Sequence, residues 1–324
     1  MEVTVKGKKL LLARPRGFCA GVEWAVTLVE KAAFEYGKPV YVRHQIVHNP
    51  RVINDLQKIG VHFVNELDEV PDDAPVFFSA HGVPPAVVEE ADRRNLNYID
   101  ASCPLVKKVH HEVVNFVKSG KQVVLIGHKG HPEVIGIMGH APPDRIHLVQ
   151  SVPDAQALNI PEGTELGLVT QTTLSIFETA EIVEALKKRF VNIQEPNKSD
   201  ICYATTNRQY AAIELSKKCD AVVIIGGRNS SNSASMRNTL LNKNYETVFL
   251  TESAEQFDTS QLTKAETIGI TSGASTPECS VLDLVNKISS HFDVVSVKEF
   301  VVNEENIKFK ITELPPVKVT IPYN

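Results

Sequence analysis

Among the 324 residues of this chain, five cysteines, eleven histidines and several Ser/Asn-rich loops carry side chains able to do more than fill a core. Residues 16–26, RGFCAGVEWAV, set Cys19 between glycines where a strand-like run gives way to a helical one. A solitary cysteine in such a place is ordinarily a small buried hydrophobe. Cys103 and Cys202 open segments of the same design, and that recurrence points to shared thiol chemistry. No CxxC occurs among Cys19, Cys103, Cys202, Cys219 and Cys279, which argues against a zinc ribbon, a thioredoxin-type pair and a ferredoxin-type run. Any joint action of these thiols therefore requires the fold to gather them.

The repeat is explicit in the spacing. After Cys19, apolar Val22, Ala25, Val26, Val29 and Ala33 fall at helical intervals, Gly37 stops the run, and a strand (VYVR) leads into the loop QIVHNP. After Cys103 the same order appears with Leu105, Val106, Val109, Val113 and Val117, Gly120, QVVLIGH and KGHPEV. After Cys202 it is YATTNRQYAAIELSKK, AVVIIGG and RNSSNS. His48 lies 29 residues past Cys19, His131 lies 28 past Cys103, and Ser230 lies 28 past Cys202. A second half also recurs: a short strand, an acidic turn, then a strand closing on His81, Thr172 or Ser275, at offsets of 62, 69 and 73 from the preceding cysteine.

Strands alternating with helices imply an α/β fold with mainly parallel sheets. The expected organisation is three pseudo-symmetric α/β lobes, at 1–102, 103–201 and 202–281, with a C-terminal tail at 282–324 packing on them. The amino-terminal strand KKLLLA is free to join the third lobe instead of the first. Ligands of open α/β sheets bind at the carboxyl ends of strands, and every residue singled out above sits at such an end. Packing about a pseudo-threefold axis would bring the cysteines to the centre, ringed by the polar loops.

Three thiolates can hold a four-iron four-sulfur cluster and leave one iron open, acting as Lewis acid and electron conduit. Each thiol stands at a predicted helix start, where the dipole favours the metal-binding thiolate. The alternatives are a three-thiolate zinc site with bound water, which supplies no electrons, and three cysteines that simply pack. The surrounding ring is His48, Asn49, His81, His131, Thr172, Ser230, Ser231, Asn232 and Ser275. Hydroxyls and amides of a loop such as GGRNSSNS facing two histidine loops suit an anion such as diphosphate, although neither GxxxxGK[ST] nor GxGxxG is present. Glu133, two residues beyond His131, is the one carboxyl in the set; beside an anionic ligand it would hold its proton and serve as a donor. Cys219 and Cys279 read as spare thiols, and His44, His62, His110, His111, His128, His140, His147 and His291 as structural or surface residues.

Composition narrows the class. With 43% hydrophobic and 23% charged residues, a formal charge of -5 and a pI near 6.1, the chain has no basic excess for nucleic acid or anionic membranes. No apolar run approaches the ~18 residues of a membrane span, and the first residues look like neither a signal nor a transit peptide. Cytoplasmic localisation is expected.

Taken together, the segments RGFCAGV, YVRHQIVHNPRV, FFSAHGV, DASCPLVKKVH, IGHKGHPEVIGIMG, TQTTLS, DICYATTNRQ, RNSSNS and TSGASTPE closely resemble the 4-hydroxy-3-methylbut-2-enyl diphosphate reductase (LytB) family over nearly the whole chain. The departures are a few extra amino-terminal residues and a divergent tail. The resemblance implies an oxidoreductase performing the last step of the methylerythritol phosphate route to isoprenoids, reductive loss of an allylic hydroxyl to give isopentenyl and dimethylallyl diphosphate. It implies one [4Fe-4S] cluster on Cys19, Cys103 and Cys202 with an open iron. It assigns the diphosphate to His48, His81, His131, Ser230, Ser231, Asn232 and Ser275, and places Thr172 and Glu133 by the substrate hydroxyl, Glu133 delivering a proton. It further implies an external ferredoxin or flavodoxin as electron donor; separately, a monomer or homodimer is expected. The rival functions are a zinc-dependent hydrolase of a phosphorylated substrate and an iron-sulfur redox sensor.

Overall fold

The computed structural model describes residues 7–37, 39–311 and 313–315. The chain opens with β1 (Lys8–Arg14) and α1 (Ala20–Glu35). A first βα series follows: β2 (Val40–Arg43), α2 (Pro50–Lys58), β3 (Val61–Val64), β4 (Pro75–Phe78), α3 (Pro85–Arg93) and β5 (Asn97–Asp100). The second comprises α4 (Pro104–Lys118), β6 (Gln122–Ile126), α5 (Pro132–Met138), β7 (Ile146–Val149), α6 (Val152–Ala157), β8 (Leu166–Thr170), α7 (Ile176–Arg189) and β9 (Ile193–Gln194). The third comprises α8 (Tyr203–Ser216), β10 (Ala221–Ile225), α9 (Ser231–Leu241), β11 (Val248–Thr251), β12 (Thr267–Ser272), α10 (Glu278–His291) and β13 (Val294–Val301).

Three parallel sheets result, ordered β3-β2-β4-β5, β7-β6-β8-β9 and β11-β10-β12-β1-β13. The first three places of each sheet follow one rule: the opening strand sits inside, its successor outside it, and the third strand on the other flank. The fourth place is filled by β5 and β9 in the first two sheets, and by the amino-terminal β1 in the third. In that third sheet β1 pairs directly with β12. β13, from the tail, adds an outer strand beside β1, and α10 continues past residue 281 to His291.

The innermost strands β6 and β10 are largely apolar because both faces are covered, as parallel sheets require. β6 shows it: Val124 and Ile126 join one cluster with Leu166 and Leu168, whereas Val123 and Leu125 join another with Val113 and Phe116. β10 (AVVII) is buried at every residue. Gly37 and Gly120, read from the sequence as helix stops, have φ of 60° and 88°, the left-handed conformation that ends a helix.

The residues cluster into two compact units. One is built on residues up to Cys19, His48–Val52 and Tyr203–Ile307; the other on Ala20–Val47, Ile53–Cys202 and residues from Lys308 onward. The first and second sheets therefore share a unit. Close backbone approach joins them: a Cβ on Gly139, just past α5, would stand 2.3 Å from the Cβ of Pro84, just before α3.

The second core supplies a direct test of packing. A Cβ on Gly167, inside β8, would lie 2.2 Å from Cγ of Phe116 on α4, and Gly167 has no unusual φ to complicate the reading. Gly167→Ala is expected to destabilise the protein by about 1–3 kcal/mol through overpacking, and Phe116→Leu in the same chain should recover part of the loss. Denaturant titration of the single and double variants checks both outcomes.

Candidate functional site

Each of Cys19, Cys103 and Cys202 occupies the same topological corner. Each follows the strand in fourth place of a sheet (β1, β5 or β9) and immediately precedes a helix (α1, α4 or α8). Each cysteine amide donates to the carbonyl just beyond the third strand of that sheet: Cys19 to Ala274 at 3.1 Å, Cys103 to Ala80 at 3.0 Å, and Cys202 to Thr172 at 3.0 Å. The acceptors are the residues before Ser275 and His81, and Thr172 itself, so each bond pins a cysteine beside one predicted polar residue. All three thiols are partly exposed and outside disulfides, whereas Cys219 is buried and Cys279 exposed. Burial and neighbouring Asp220 push the Cys219 thiol up to about 12, which fits an inert packing residue. Beside Cys103 the chain leaves deliberate room, since a Cβ on Gly21 would fall 2.6 Å from its Sγ.

The polar loops close the first strands of the sheets. Beyond β2, the Asn49 side chain caps α2 by accepting from the amides of Arg51 (3.0 Å) and Val52 (3.2 Å). Beyond β6, His131 is the N-cap of α5, its Nδ1 accepting from the Glu133 amide at 3.1 Å. Beyond β10, Ser230 is the N-cap of α9 and its Oγ accepts from the Ser233 amide at 3.4 Å. Three times, a loop ends as a helix amino-terminus, where backbone N–H groups and the dipole favour an anion.

One unit holds Cys19, His48, Ser230, Ser231, Asn232 and Ser275. There the Ser275 hydroxyl donates to the His48 carbonyl (3.2 Å), and the Asn229 amide lies 3.4 Å from His48 Nδ1. Asn232, nearly inaccessible, accepts from the Ala274 amide at 2.9 Å and donates to Thr205 Oγ1 at 3.2 Å. Ala274 thus both accepts from Cys19 and donates to Asn232. The Cys19 corner and the Asn232 side chain share a partner.

The other unit holds Cys103, Cys202, His81, His131, Glu133 and Thr172. The His81 and His131 rings meet edge to face, centroids 5.7 Å apart, and Ser79 Oγ lies 3.3 Å from His81 Nδ1. Glu133 is 1% exposed; its Oε1 accepts from the Thr172 amide at 2.6 Å and its Oε2 from the Thr172 hydroxyl at 3.2 Å. Burial raises the Glu133 carboxyl to about 7, the Thr172 bonds pulling it back, with a further rise from Asp200. A carboxyl poised near neutrality, anchored to a hydroxyl residue in a buried site, is equipped to give up and regain a proton. Among the described residues no three His, Cys, Asp or Glu side chains are grouped to hold a single metal ion.

Comparison with known proteins follows the same lines. The family model for LytB protein matches residues 10–289. The chain belongs to the LytB family. It is 47% identical to a Gluconobacter oxydans protein named 4-hydroxy-3-methylbut-2-enyl diphosphate reductase, over 94% of this chain and 92% of that one. An Actinobacillus succinogenes protein of the same name is 48% identical, covering 94% and 96%. The solved structure of the E-1-hydroxy-2-methyl-but-2-enyl-4-diphosphate reductase from Plasmodium falciparum superposes with a TM-score of 0.90 at 39% identity, over 94% of this chain and 95% of that one.

Sequence reasoning passed over two residues that shape this LytB chain's site. Arg208, in the middle of α8, is 1% exposed and binds the loop before Cys19; flanked by Asn207 and Gln209, it does not stand out in the sequence. Thr205 supports Asn232, with no pattern to announce it.

Glu133 also generates a stability prediction. Its folded-state pKa, about 7, stands above the ordinary 4.5, so the folded protein keeps a proton that the unfolded chain releases. Its favourable linkage is full below about pH 4.5 and is lost as pH rises towards 7. Glu133→Gln should therefore match the wild type near pH 4.5 and exceed it by up to about 3 kcal/mol above pH 7. Thermal denaturation across pH 5–8 reads the widening gap.

Proposed function

We propose that this chain catalyses reductive removal of the allylic hydroxyl from (E)-4-hydroxy-3-methylbut-2-enyl diphosphate, consuming two electrons and two protons and releasing water with isopentenyl or dimethylallyl diphosphate. The names borne by its relatives support the reaction, and one solved relative, 31% identical with a TM-score of 0.63, is titled the terminal enzyme of the non-mevalonate pathway. The observation that carries the reading is the thrice-repeated corner: three partly exposed thiols at helix starts, each amide-pinned beside a polar residue.

Cys19, Cys103 and Cys202 are the ligands in this reading, and the donor set fits: three thiols outside any disulfide, with Gly21 leaving space at one sulfur. Bound there, a [4Fe-4S] cluster with three thiolate ligands supplies single electrons and a vacant iron as Lewis acid. His48, His81, His131, Ser230, Ser231, Asn232 and Ser275 hold the diphosphate. Their work is positional: anchoring a multiply charged tail turns binding into orientation of the carbon–oxygen bond to be broken. Thr172 fixes the Glu133 carboxyl through two hydrogen bonds, so the proton is delivered from a defined place. Glu133 enters protonated near pH 7, gives its proton to the departing oxygen, and is left as a carboxylate that the Thr172 amide and hydroxyl stabilise. The electrons come from an external carrier of ferredoxin or flavodoxin type. Five cysteines, none in a disulfide, accord with a cytoplasmic setting, and no helix among the described residues is long and apolar enough to cross a membrane.

The test is anaerobic turnover of the allylic diphosphate with a reduced low-potential donor, wild type beside Glu133→Gln. The wild type should form both products. The variant should keep its iron and visible absorption while its turnover falls roughly a hundredfold or more. No turnover by an iron-loaded wild type would reject the function, and undiminished turnover in the variant would remove Glu133 from the mechanism.

A further inference from the structure

Among the described residues Arg208 is the largest side chain that is almost wholly buried, and a guanidinium in that position is costly unless its donors and its charge are matched. The matches are specific. Nε and Nη2 donate to the Gly17 carbonyl at 3.2 and 2.9 Å, Nη2 also reaches the Phe18 carbonyl at 3.4 Å, and Nη1 donates to Ala204 O at 3.0 Å. The charge is met by Glu305, whose two oxygens lie 3.0 and 3.1 Å from Nη1. Glu305 also accepts from Asn207 at 3.0 Å, and Asn207 in turn accepts from Asn303 at 3.2 Å. The amides of Val302 and Asn303 donate to the Arg14 carbonyl at 2.9 and 3.3 Å, which lays this piece of tail alongside the loop that ends in Cys19.

A second arginine repeats the arrangement on the same loop. Arg16 forms a fork on Glu299 of β13 at 2.8 and 2.9 Å and binds Glu278 at 2.6 Å, while its Nη1 donates to Ala13 O. The loop itself is tied from within the sheet by the Gly17 amide to Ser272 Oγ (2.9 Å) and the Cys19 amide to Ala274 O. The segment before Cys19 is therefore gripped by two guanidinium groups, each neutralised in part by a carboxylate lying beyond residue 289, where the family match ends.

We propose that Arg208 and Glu305 are positioning residues for Cys19: the tail carboxylate orients and neutralises a buried guanidinium that fixes the Gly17 and Phe18 carbonyls, and the pair thereby sets both the aim of the Cys19 sulfur and the electrostatic potential at a metal centre held there. This rests on the reading of Cys19 as a ligand. With Glu305 in place, the Arg208 charge is balanced. Without it, an uncompensated cation remains, buried against the carbonyl of the residue preceding Cys19, and the reduced, more negative state of a bound cluster is favoured.

The experiment uses the full-length, anaerobically purified protein as wild type, Glu305→Gln, Glu305→Asp and, as a charge control on the exposed face of the same helix, Glu214→Gln. Iron and sulfide content, the midpoint potential of the cluster, and hydrogen exchange at the Gly17 and Cys19 amides are read for each. Glu305→Gln should retain iron and sulfide, shift the potential upward, and exchange faster at those two amides. Glu305→Asp should recover part of both changes, and Glu214→Gln should show neither. A wild-type cluster with an unshifted potential and unchanged exchange in Glu305→Gln overturns the inference while leaving the ligand assignment standing. A wild type that carries no cluster under these conditions overturns the ligand assignment and the inference with it.

Discussion

The hydrogen bond from each cysteine amide to the carbonyl closing the third strand of its sheet is the contact on which the arrangement depends. It is a modest interaction, worth about 1 kcal/mol of net stability. Its consequence is geometric. A thiol after a fourth-place strand would otherwise ride on a loop; this bond docks it against the sheet's carboxyl edge and starts a helix at the next residue. The same bond puts Ser275, His81 and Thr172 in register with their cysteines, so one constraint places each thiol and one polar residue together.

Around those corners the polar residues are affordable only because they satisfy one another. Asn232 uses its carbonyl on Ala274 and its amide on Thr205; Ser230 turns its hydroxyl on the amide of its own helix. Glu133 is the exception, a carboxyl with two donors and almost no water, and desolvation outweighs those donors, so it keeps its proton to about pH 7. A site assembled for stability alone would place an amide or an apolar group there. The retained carboxyl is the kind of strain a proton-transferring site tolerates.

The threefold order was legible because it is local. Cysteine, helix, glycine stop and apolar strand follow one another within about thirty residues, and the structure places α1, α4 and α8 directly after Cys19, Cys103 and Cys202. The candidate lining residues stand out for the same reason, as strand ends have a recognisable pattern, and the family resemblance added proposed roles that spacing could not supply. What the sequence pattern left open is long-range. Nothing in KKLLLA specifies that β1 takes the place in the third sheet that β5 and β9 take in the others; that follows from pairing with β12, some 260 residues away. Likewise Glu305 meets Arg208 across about a hundred residues, and the Val302 and Asn303 amides of the tail bond the Arg14 carbonyl. Charge pairs of this kind leave no periodic trace in a single sequence.

The central claim is that three of the five cysteines, and only those three, hold one iron-sulfur centre. Iron and acid-labile sulfide per chain, measured under strict anaerobiosis for five single Cys→Ala variants, test it most directly. The account predicts that Cys19→Ala, Cys103→Ala and Cys202→Ala each lose most of a complement of about four irons, while Cys219→Ala and Cys279→Ala retain it. A full complement in any of the first three, or its loss in Cys279→Ala, would contradict the account.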